Sequence, residues 1–105
     1  MERRSSDRVT VNMKAERISC TENCSVFIEN MSETGIYIIT APAKQNDYEP
    51  GKEIDLELEL STGEVINLNC NVKWSYDTSE ELTKNVGLEI INPPEKYKHF
   101  IETFY

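Results

Sequence analysis

Two groups of residues in this chain combine side-chain types and spacings that suit the recognition of an anionic ligand. Arg4 and Arg8 are separated by three residues and precede the first apolar run. Arginine presents a planar fork of N–H donors that binds phosphate oxygens with charge assistance. The second group is Asn30, Ser32 and Gly35, in the spacing N-x-S-x-x-G. These types indicate binding by charge and hydrogen bonds.

The N-x-S-x-x-G stretch also has a purely structural interpretation. It separates two apolar runs, 26–28 and 36–39, and is therefore predicted to turn the chain between two strands. Asn30 and Ser32 can hydrogen-bond the neighbouring backbone and tighten the turn. Gly35 permits a positive φ or leaves room for a ligand to approach the main chain. Taken alone, the stretch is explained equally by a tight strand connection.

The distribution of charge favours an anion site near the N-terminus. The chain of 105 residues has a net charge of −8, which argues against binding of DNA or RNA because those ligands require a basic surface. Residues 1–17 carry +2, whereas the remainder carries −10. An anion is therefore expected to be accepted only near the N-terminal segment. The alternative is that the acidic excess keeps the domain soluble.

The composition predicts one soluble domain in the cytoplasm. With 38% hydrophobic and 29% charged residues, the chain is typical of a globular protein of single-domain size. We expect no membrane insertion and no secretory signal, since no apolar run is long enough and the chain starts polar. Three cysteines, an odd number, argue against a disulfide framework and favour a reducing compartment.

Alternation of apolar and polar side chains predicts six strands. The alternation changes phase at residues 17–20, which predicts a bulge or a twist there. The third strand is nearly all apolar and is predicted to be covered on both faces. The fifth is predicted to place Trp74 and Tyr76 on its inward side. The predicted strands are residues 9–15, 24–28, 36–39, 53–60, 66–76 and 86–90.

The chain ends in a predicted amphipathic helix. Asn92 can cap its N-terminus, Pro93 suits the first helical position and Glu95 can close a capping box. An apolar stripe then packs on the sheet. Together these elements predict an all-β fold, a small six-stranded antiparallel β-barrel with a C-terminal α-helix. The helical stripe comprises Tyr97, Phe100, Ile101 and Phe104.

The two motifs, in this order, resemble the PilZ domain, a bacterial module that binds the second messenger cyclic di-GMP. The family pattern is R-x-x-x-R followed by [DN]-x-S-x-x-G, and all its defining residues are present in this chain. Residues 72–74, V-K-W, and the glycine-containing stretch 86–89 resemble later strands of the family. Ile36 stands where many members have a second glycine; other members have an aliphatic residue there.

The resemblance implies a barrel over residues 9–105 and a flexible segment over residues 1–8 that clamps the ligand. Arg4 and Arg8 would contact phosphates and the O6 and N7 acceptors of guanine, because arginine matches both. The segment would become ordered when the ligand binds, and that ordering is the expected signal.

The other motif residues would form the floor of the site. Asn30 and Ser32 would hydrogen-bond a guanine edge, and Gly35 would allow close backbone approach. In the family a basic residue at the position of Arg3 can bind a second stacked copy of the ligand; a solvated side chain is the alternative. For Trp74 the first interpretation is packing in the core. The alternative, suggested by its match to the family's V-x-W, is contact with the ligand.

Neither a metal site nor a catalytic centre is predicted. Cys20 and Cys24 have C-x-x-x-C spacing, unlike the C-x-x-C of structural zinc sites, and Cys70 fits the barrel core. His99 is predicted at the surface, without a nucleophile–base arrangement. We therefore expect a non-enzymatic receptor that binds cyclic di-GMP, requires no cofactor and acts on a downstream effector protein. The alternative function is a protein-interaction module that does not depend on nucleotide.

Overall fold

The structure is a computed structural model that describes residues 8–18, 25–40, 48–60, 62–78 and 83–104. Within these ranges the chain forms six β-strands followed by one α-helix. Strands β1 to β6 span Val9–Arg17, Ser25–Met31, Gly35–Thr40, Glu53–Glu59, Val65–Thr78 and Thr83–Ile90, and helix α1 spans Glu95–Glu102. No helix in the described part of the chain has the length and apolar character needed to cross a membrane.

The strands close into one antiparallel barrel in the order β1-β2-β3-β6-β5-β4. This arrangement, with its C-terminal helix, confirms the predicted fold. Because β3 pairs with β6 and β6 pairs with β5, the turn between β2 and β3 lies on the same side of the barrel as the middle of β5. The chain order thus brings three distant stretches of sequence together.

Inward-facing aliphatic side chains fill the barrel. In β4, Ile54, Leu56 and Leu58 are buried, whereas the acidic residues between them are exposed. Burying one such side chain contributes about 1.5–3 kcal/mol, so this alternation fixes which face of the strand turns inward. Strand β3 is fully buried on one face and partly exposed on the other, at Tyr37 and Ile39. The predicted covering of both its faces is therefore right only in part.

The described strands have three register shifts, and the sequence pattern predicted none of them; two concern β1 and β5, and the third lies in the β2–β3 pair between Ile28 and Asn30. Strand β1 continues to Arg17, and its register shifts between Thr10 and Met13, so the phase change at residues 17–20 does not mark a bulge within the described strand. Asn12, inside the irregularity, has a φ of 47°, a conformation that asparagine tolerates better than most residues.

The second bulge reverses the alternation in β5. The β5–β6 register shifts between Val72 and Trp74. Ile66, Leu68, Cys70 and Val72 are buried as predicted, but beyond the shift Trp74 is 41% and Tyr76 53% exposed. The prediction that these two aromatic side chains point into the barrel is wrong, because one extra residue moves them to the outer face.

The helix begins later than the sequence pattern predicted. Asn92 has a φ of 49° and turns the chain, and the N-cap is Pro94, without a side-chain hydrogen bond. The predicted capping box with Glu95 is therefore absent from this helix. The apolar stripe is as predicted in its inner part, since Tyr97 and Ile101 are fully buried. The outer part is exposed at Phe104, whose ring packs edge-on against that of Phe100.

Candidate ligand-binding site

The turn between β2 and β3 is held by hydrogen bonds among its own residues. The Ser32 N–H donates to the carbonyl oxygen of Gly35 at 2.8 Å. The Ser32 hydroxyl oxygen accepts from the N–H groups of Gly35, at 3.1 Å, and Thr34, at 3.3 Å. Ser32 itself is 1% exposed. Its hydroxyl therefore shapes the turn from the inside.

Helix α1 and strand β6 fasten this turn to the barrel. The buried Tyr97 hydroxyl donates a hydrogen bond to the carbonyl oxygen of Ser32. On the other side, the Ile90 N–H donates to the carbonyl oxygen of Thr34 at 2.8 Å. Because both neighbours satisfy its backbone, the turn forms a floor whose shape is set by the fold.

Arg8 lies against this floor at the start of β1. Its Nε donates a hydrogen bond to Oδ1 of Asn30. Its Nη1 lies 3.2 Å from the position that a Cβ on Gly35 would occupy, and the Leu88 carbonyl oxygen is equally close to that position. Glycine therefore leaves the space that the guanidinium uses. Arg8 is exposed, so a ligand can reach its remaining N–H donors.

A cavity of about 310 Å³ opens beside Arg8. Its polar lining comes from Arg8, Asn30 and Lys73, and the rings of Tyr37 and Trp74 contribute an aromatic wall. The volume is at the lower end of the range for small-molecule sites, roughly 300–1,000 Å³. A few polar groups beside aromatic surface are also typical of such sites.

The bulge in β5 places the Trp74 ring over β6 at Gly87. A Cβ at residue 87 would overlap the indole, so the ring can occupy this position only because residue 87 is glycine. The Tyr37 ring meets Trp74 edge-on with centroids 5.3 Å apart, and the Tyr76 ring stacks on it with centroids 5.6 Å apart. Since Trp74 is still 41% exposed, the indole offers aromatic surface to a ligand.

A chain of hydrogen bonds orients the two tyrosines around this indole. The Tyr37 hydroxyl donates to Oδ1 of Asn85 at 2.9 Å. The hydroxyl oxygens of Tyr37 and Tyr76 are 3.1 Å apart, so Tyr76 can donate to Tyr37. Asn85 is only 6% exposed, so these hydrogen bonds end at a buried residue of the barrel wall. The aromatic wall is thus fixed by polar contacts as well as by packing.

The electrostatics of the described residues suit binding of an anion. Two cations, Arg8 and Lys73, line the cavity without a carboxylate in its lining. Elsewhere, burial and then the charge of Asp55 raise the pKa of the Cys70 thiol to about 12, so this thiol stays protonated at neutral pH and is a poor nucleophile. No group of three metal-ligating side chains occurs among the residues that the structure describes.

The structure brings five of the predicted site residues to one side of the barrel. Arg8, Asn30 and Trp74 line the cavity, and Gly35 and Ser32 form the floor beneath Arg8. Their contacts with a ligand stay predictions.

The other two predicted residues, Arg3 and Arg4, lie outside the described residues, as does all of the predicted clamping segment except Arg8. Their roles and the boundary of that segment therefore stay predictions.

Sequence reasoning assigned no site role to Lys73, Tyr37, Tyr76 or Gly87. The alternation in the fifth strand predicted an inward position for Tyr76. One signal was present in the sequence: Gly87 falls within a predicted strand, and glycine within a strand often marks a bulge or a close approach. If Gly87 is known to lie opposite Trp74, it indicates that Lys73 and Trp74 are at a bulge. This signal could not be used before the pairing of β5 with β6 was known.

Comparison with known proteins bears on the family and the fold of this chain. The family model described as PilZ domain matches residues 2–105. Among solved structures, the chain is similar to the inhibitor of motility MotI/DgrA of Bacillus subtilis, with a TM-score of 0.75 and 15% sequence identity. The match covers 99% of this chain and 49% of that protein, so the chain spans about half the length of its structural relative. The search of curated proteins gave no match.

Proposed function

The chain belongs to the PilZ domain family, and we propose that it is a receptor domain that binds cyclic di-GMP without catalysing a reaction. One observation carries this proposal: Arg8 is hydrogen-bonded to Asn30 over the glycine of the turn, at the edge of a cavity walled by Trp74. The second arginine of R-x-x-x-R thus meets the N-x-S-x-x-G turn beside an aromatic surface, which supports the proposal. A cyclic dinucleotide offers phosphates and guanine bases to such a site.

Arg8 supplies the first part of the binding mechanism. Asn30 holds the guanidinium through Nε, which leaves the two Nη groups to bind a phosphate or the O6 and N7 acceptors of guanine. Because Asn30 uses its Oδ1 for Arg8, its amide N–H groups are the atoms that can donate to a guanine edge. Asn30 therefore both positions the arginine and contacts the ligand.

Trp74 supplies the second part of the mechanism. A guanine stacked on the exposed indole would gain about 1–3 kcal/mol, the usual range for stacking of a base on an aromatic side chain. Ser32 acts mainly through the turn, because its oxygen accepts two backbone N–H groups. Its hydroxyl proton remains available, so a direct hydrogen bond to the base stays part of the proposal.

The proposal extends to the N-terminal segment, for which the support is the R-x-x-x-R motif of the sequence. Arg4 closes on the ligand together with Arg8, and Arg3 binds a second stacked copy where one is present. Ordering of residues 1–8 over the ligand is the signal that a downstream effector protein recognises. NMR order parameters for residues 3–9 test this: they should rise on addition of ligand, and a segment that stays mobile at saturation would contradict the mechanism.

Calorimetric titration tests the binding function itself. Cyclic di-GMP should bind stoichiometrically, and GMP and cyclic AMP should bind much more weakly because neither offers two phosphodiesters with two guanines. An absence of heat with cyclic di-GMP at high micromolar concentration would refute the receptor function.

A further inference from the structure

Lys73, which lines the cavity, forms an ion pair with Glu89, and neither residue belongs to the R-x-x-x-R or the N-x-S-x-x-G motif. The Lys73 Nζ lies 3.5 Å from the Glu89 Oε1, and the two side chains are 53% and 54% exposed. Lys73 lines the same cavity as Arg8 and Trp74. Glu89 lies on β6, directly opposite Gly35 in the β3–β6 register. The ion pair therefore lies between the turn and the aromatic wall.

The bulge in β5 explains why Lys73 reaches this cavity. In a regular strand Lys73 and Trp74 would point to opposite faces, since successive side chains alternate. The register shift between Val72 and Trp74 removes that alternation, and both side chains become exposed lining of one cavity. The same irregularity thus supplies an aromatic ring and, next to it, a cation.

The charges around the cavity make this lysine available to an anion. An ion pair between two exposed side chains contributes little stability, because water screens it and both side chains lose freedom. Hydrogen bonds between an ammonium group and a phosphate are charge-assisted and stronger, particularly beside apolar surface that excludes water. A phosphate entering the cavity therefore competes successfully with Glu89 for the Lys73 ammonium.

We propose that Lys73 is a second phosphate-binding residue of this site and that Glu89 lowers the affinity by holding the Lys73 ammonium when no ligand is bound. The proposal rests on the proposed function, since it assumes a ligand with two phosphates. Arg8 binds one phosphate or base, and Lys73 binds the phosphate on the far side of the cavity. Glu89 acts as an internal competitor that sets the concentration at which the receptor responds.

Calorimetry with cyclic di-GMP on three variants tests the assignment. Lys73→Ala should weaken binding by about five- to tenfold, since one charge-assisted contact is lost while the competing ion pair with Glu89 no longer has to be broken. Glu89→Gln should tighten binding by about two- to threefold, the range of an exposed ion pair. The double variant should bind like Lys73→Ala alone, because Glu89 can compete only when the lysine is present. Misfolding could explain weaker binding by Lys73→Ala, but it cannot explain a gain in affinity. The tighter binding expected of Glu89→Gln therefore tests the assignment independently of misfolding.

A second ion pair on the same two strands provides a matched control. Lys84 Nζ lies 3.0 Å from Asp77 Oδ1, and neither residue lines the cavity. Lys84→Ala and Asp77→Asn make comparable changes in charge and should leave the affinity within about twofold of wild type.

Three results would overturn the assignment of Lys73 and Glu89. They are unchanged affinity in Lys73→Ala, weaker binding in Glu89→Gln, or an equal gain from Glu89→Gln with and without the lysine. The last result would mean that Glu89 acts by general repulsion. Failure of the proposed function is distinguishable, since the wild-type protein itself would then give no heat.

Discussion

The candidate site has a floor, formed by residues 30–35, and a rim, formed by the side chains of Arg8, Lys73 and Trp74. The two regions differ in the partners that their side chains and backbone groups contact. In the floor, the Ser32 hydroxyl and the turn backbone bond to the protein itself, through the turn, Tyr97 and β6. The rim side chains are exposed: Arg8 bonds to Asn30, Lys73 pairs with Glu89, and the Trp74 ring packs on two tyrosine rings at the surface. One region is built into the fold, and the other is presented to a ligand.

This difference separates two effects that are often mixed in studies of binding sites. A change in the floor leaves a buried polar group without a partner, and it should therefore lower the free energy of unfolding. A change of an exposed cation in the rim removes contacts with the ligand and, within the protein, only contacts at the surface, so it should lower the affinity with little change in stability. Measuring both quantities for each variant tests whether the division is real.

Arg8→Ala is expected to give the largest effect on binding. Each charge-assisted hydrogen bond contributes roughly 1.5–3 kcal/mol, so loss of the guanidinium should weaken cyclic di-GMP binding at least about tenfold. The thermal midpoint should remain near that of wild type, because Arg8 is exposed. Lys14→Ala, which removes the same charge further along β1, is the control and should bind normally. An Arg8→Ala protein that binds as tightly as wild type would exclude Arg8 from the rim.

Gly87→Ala should give a smaller loss of affinity by displacing the ring of Trp74. The new methyl group would overlap the indole of Trp74, so the ring must move away from Gly87. The stacking surface for a base is then lost, which should reduce the binding free energy by about 1–3 kcal/mol. Trp74 is the single tryptophan of the chain, so the wavelength of its fluorescence emission reports the displacement.

Trp74→Ala serves as the reference for that variant. It should weaken binding about as much as Gly87→Ala, and the double variant should be no worse than either alone, since both changes remove the same stacking surface. Unchanged emission and affinity in Gly87→Ala would show that the ring does not depend on this glycine.

Tyr97→Phe should affect the floor, with the smallest effect on binding of the three changes. The Ser32 carbonyl oxygen loses the donor from the Tyr97 hydroxyl, so we expect a loss of about 1 kcal/mol in unfolding free energy, or about 4–8 °C in midpoint. Tyr76→Phe makes the same chemical change at an exposed residue and should cost less than about 0.5 kcal/mol. Equal losses in both variants, or a normal midpoint with poor binding in Tyr97→Phe, would contradict the division.

The barrel could be predicted from the sequence because each strand carries its own alternation. In β4 every second residue is aliphatic, and the buried and exposed positions follow that pattern throughout. The same reasoning failed at Trp74, because a bulge depends on the partner strand: the cause lies at Gly87, thirteen positions along the chain. Local periodicity does not contain that information.

The proximity of several motif residues was predictable from the sequence, but not all of their contacts. Spacing and chemical type identified Arg8, Asn30 and Gly35, which the fold brings together. They left open whether the Ser32 hydroxyl tightens the turn or contacts a ligand, because serine can do either; in the structure it bonds within the turn. The start of α1 shows the same ambiguity, since Asn92 suits an N-cap and a left-handed turn alike.

Titration of the protein with cyclic di-GMP, followed by backbone and indole NMR signals, tests the central claim most directly. The account predicts saturable shifts at Asn30, Gly35, Lys73 and the indole N–H of Trp74, with the strand β4 on the other side of the barrel nearly unchanged. Loss of these shifts in Arg8→Ala would tie them to the rim. Spectra that do not change with ligand, or shifts that are largest in β4, would contradict the assignment of this site.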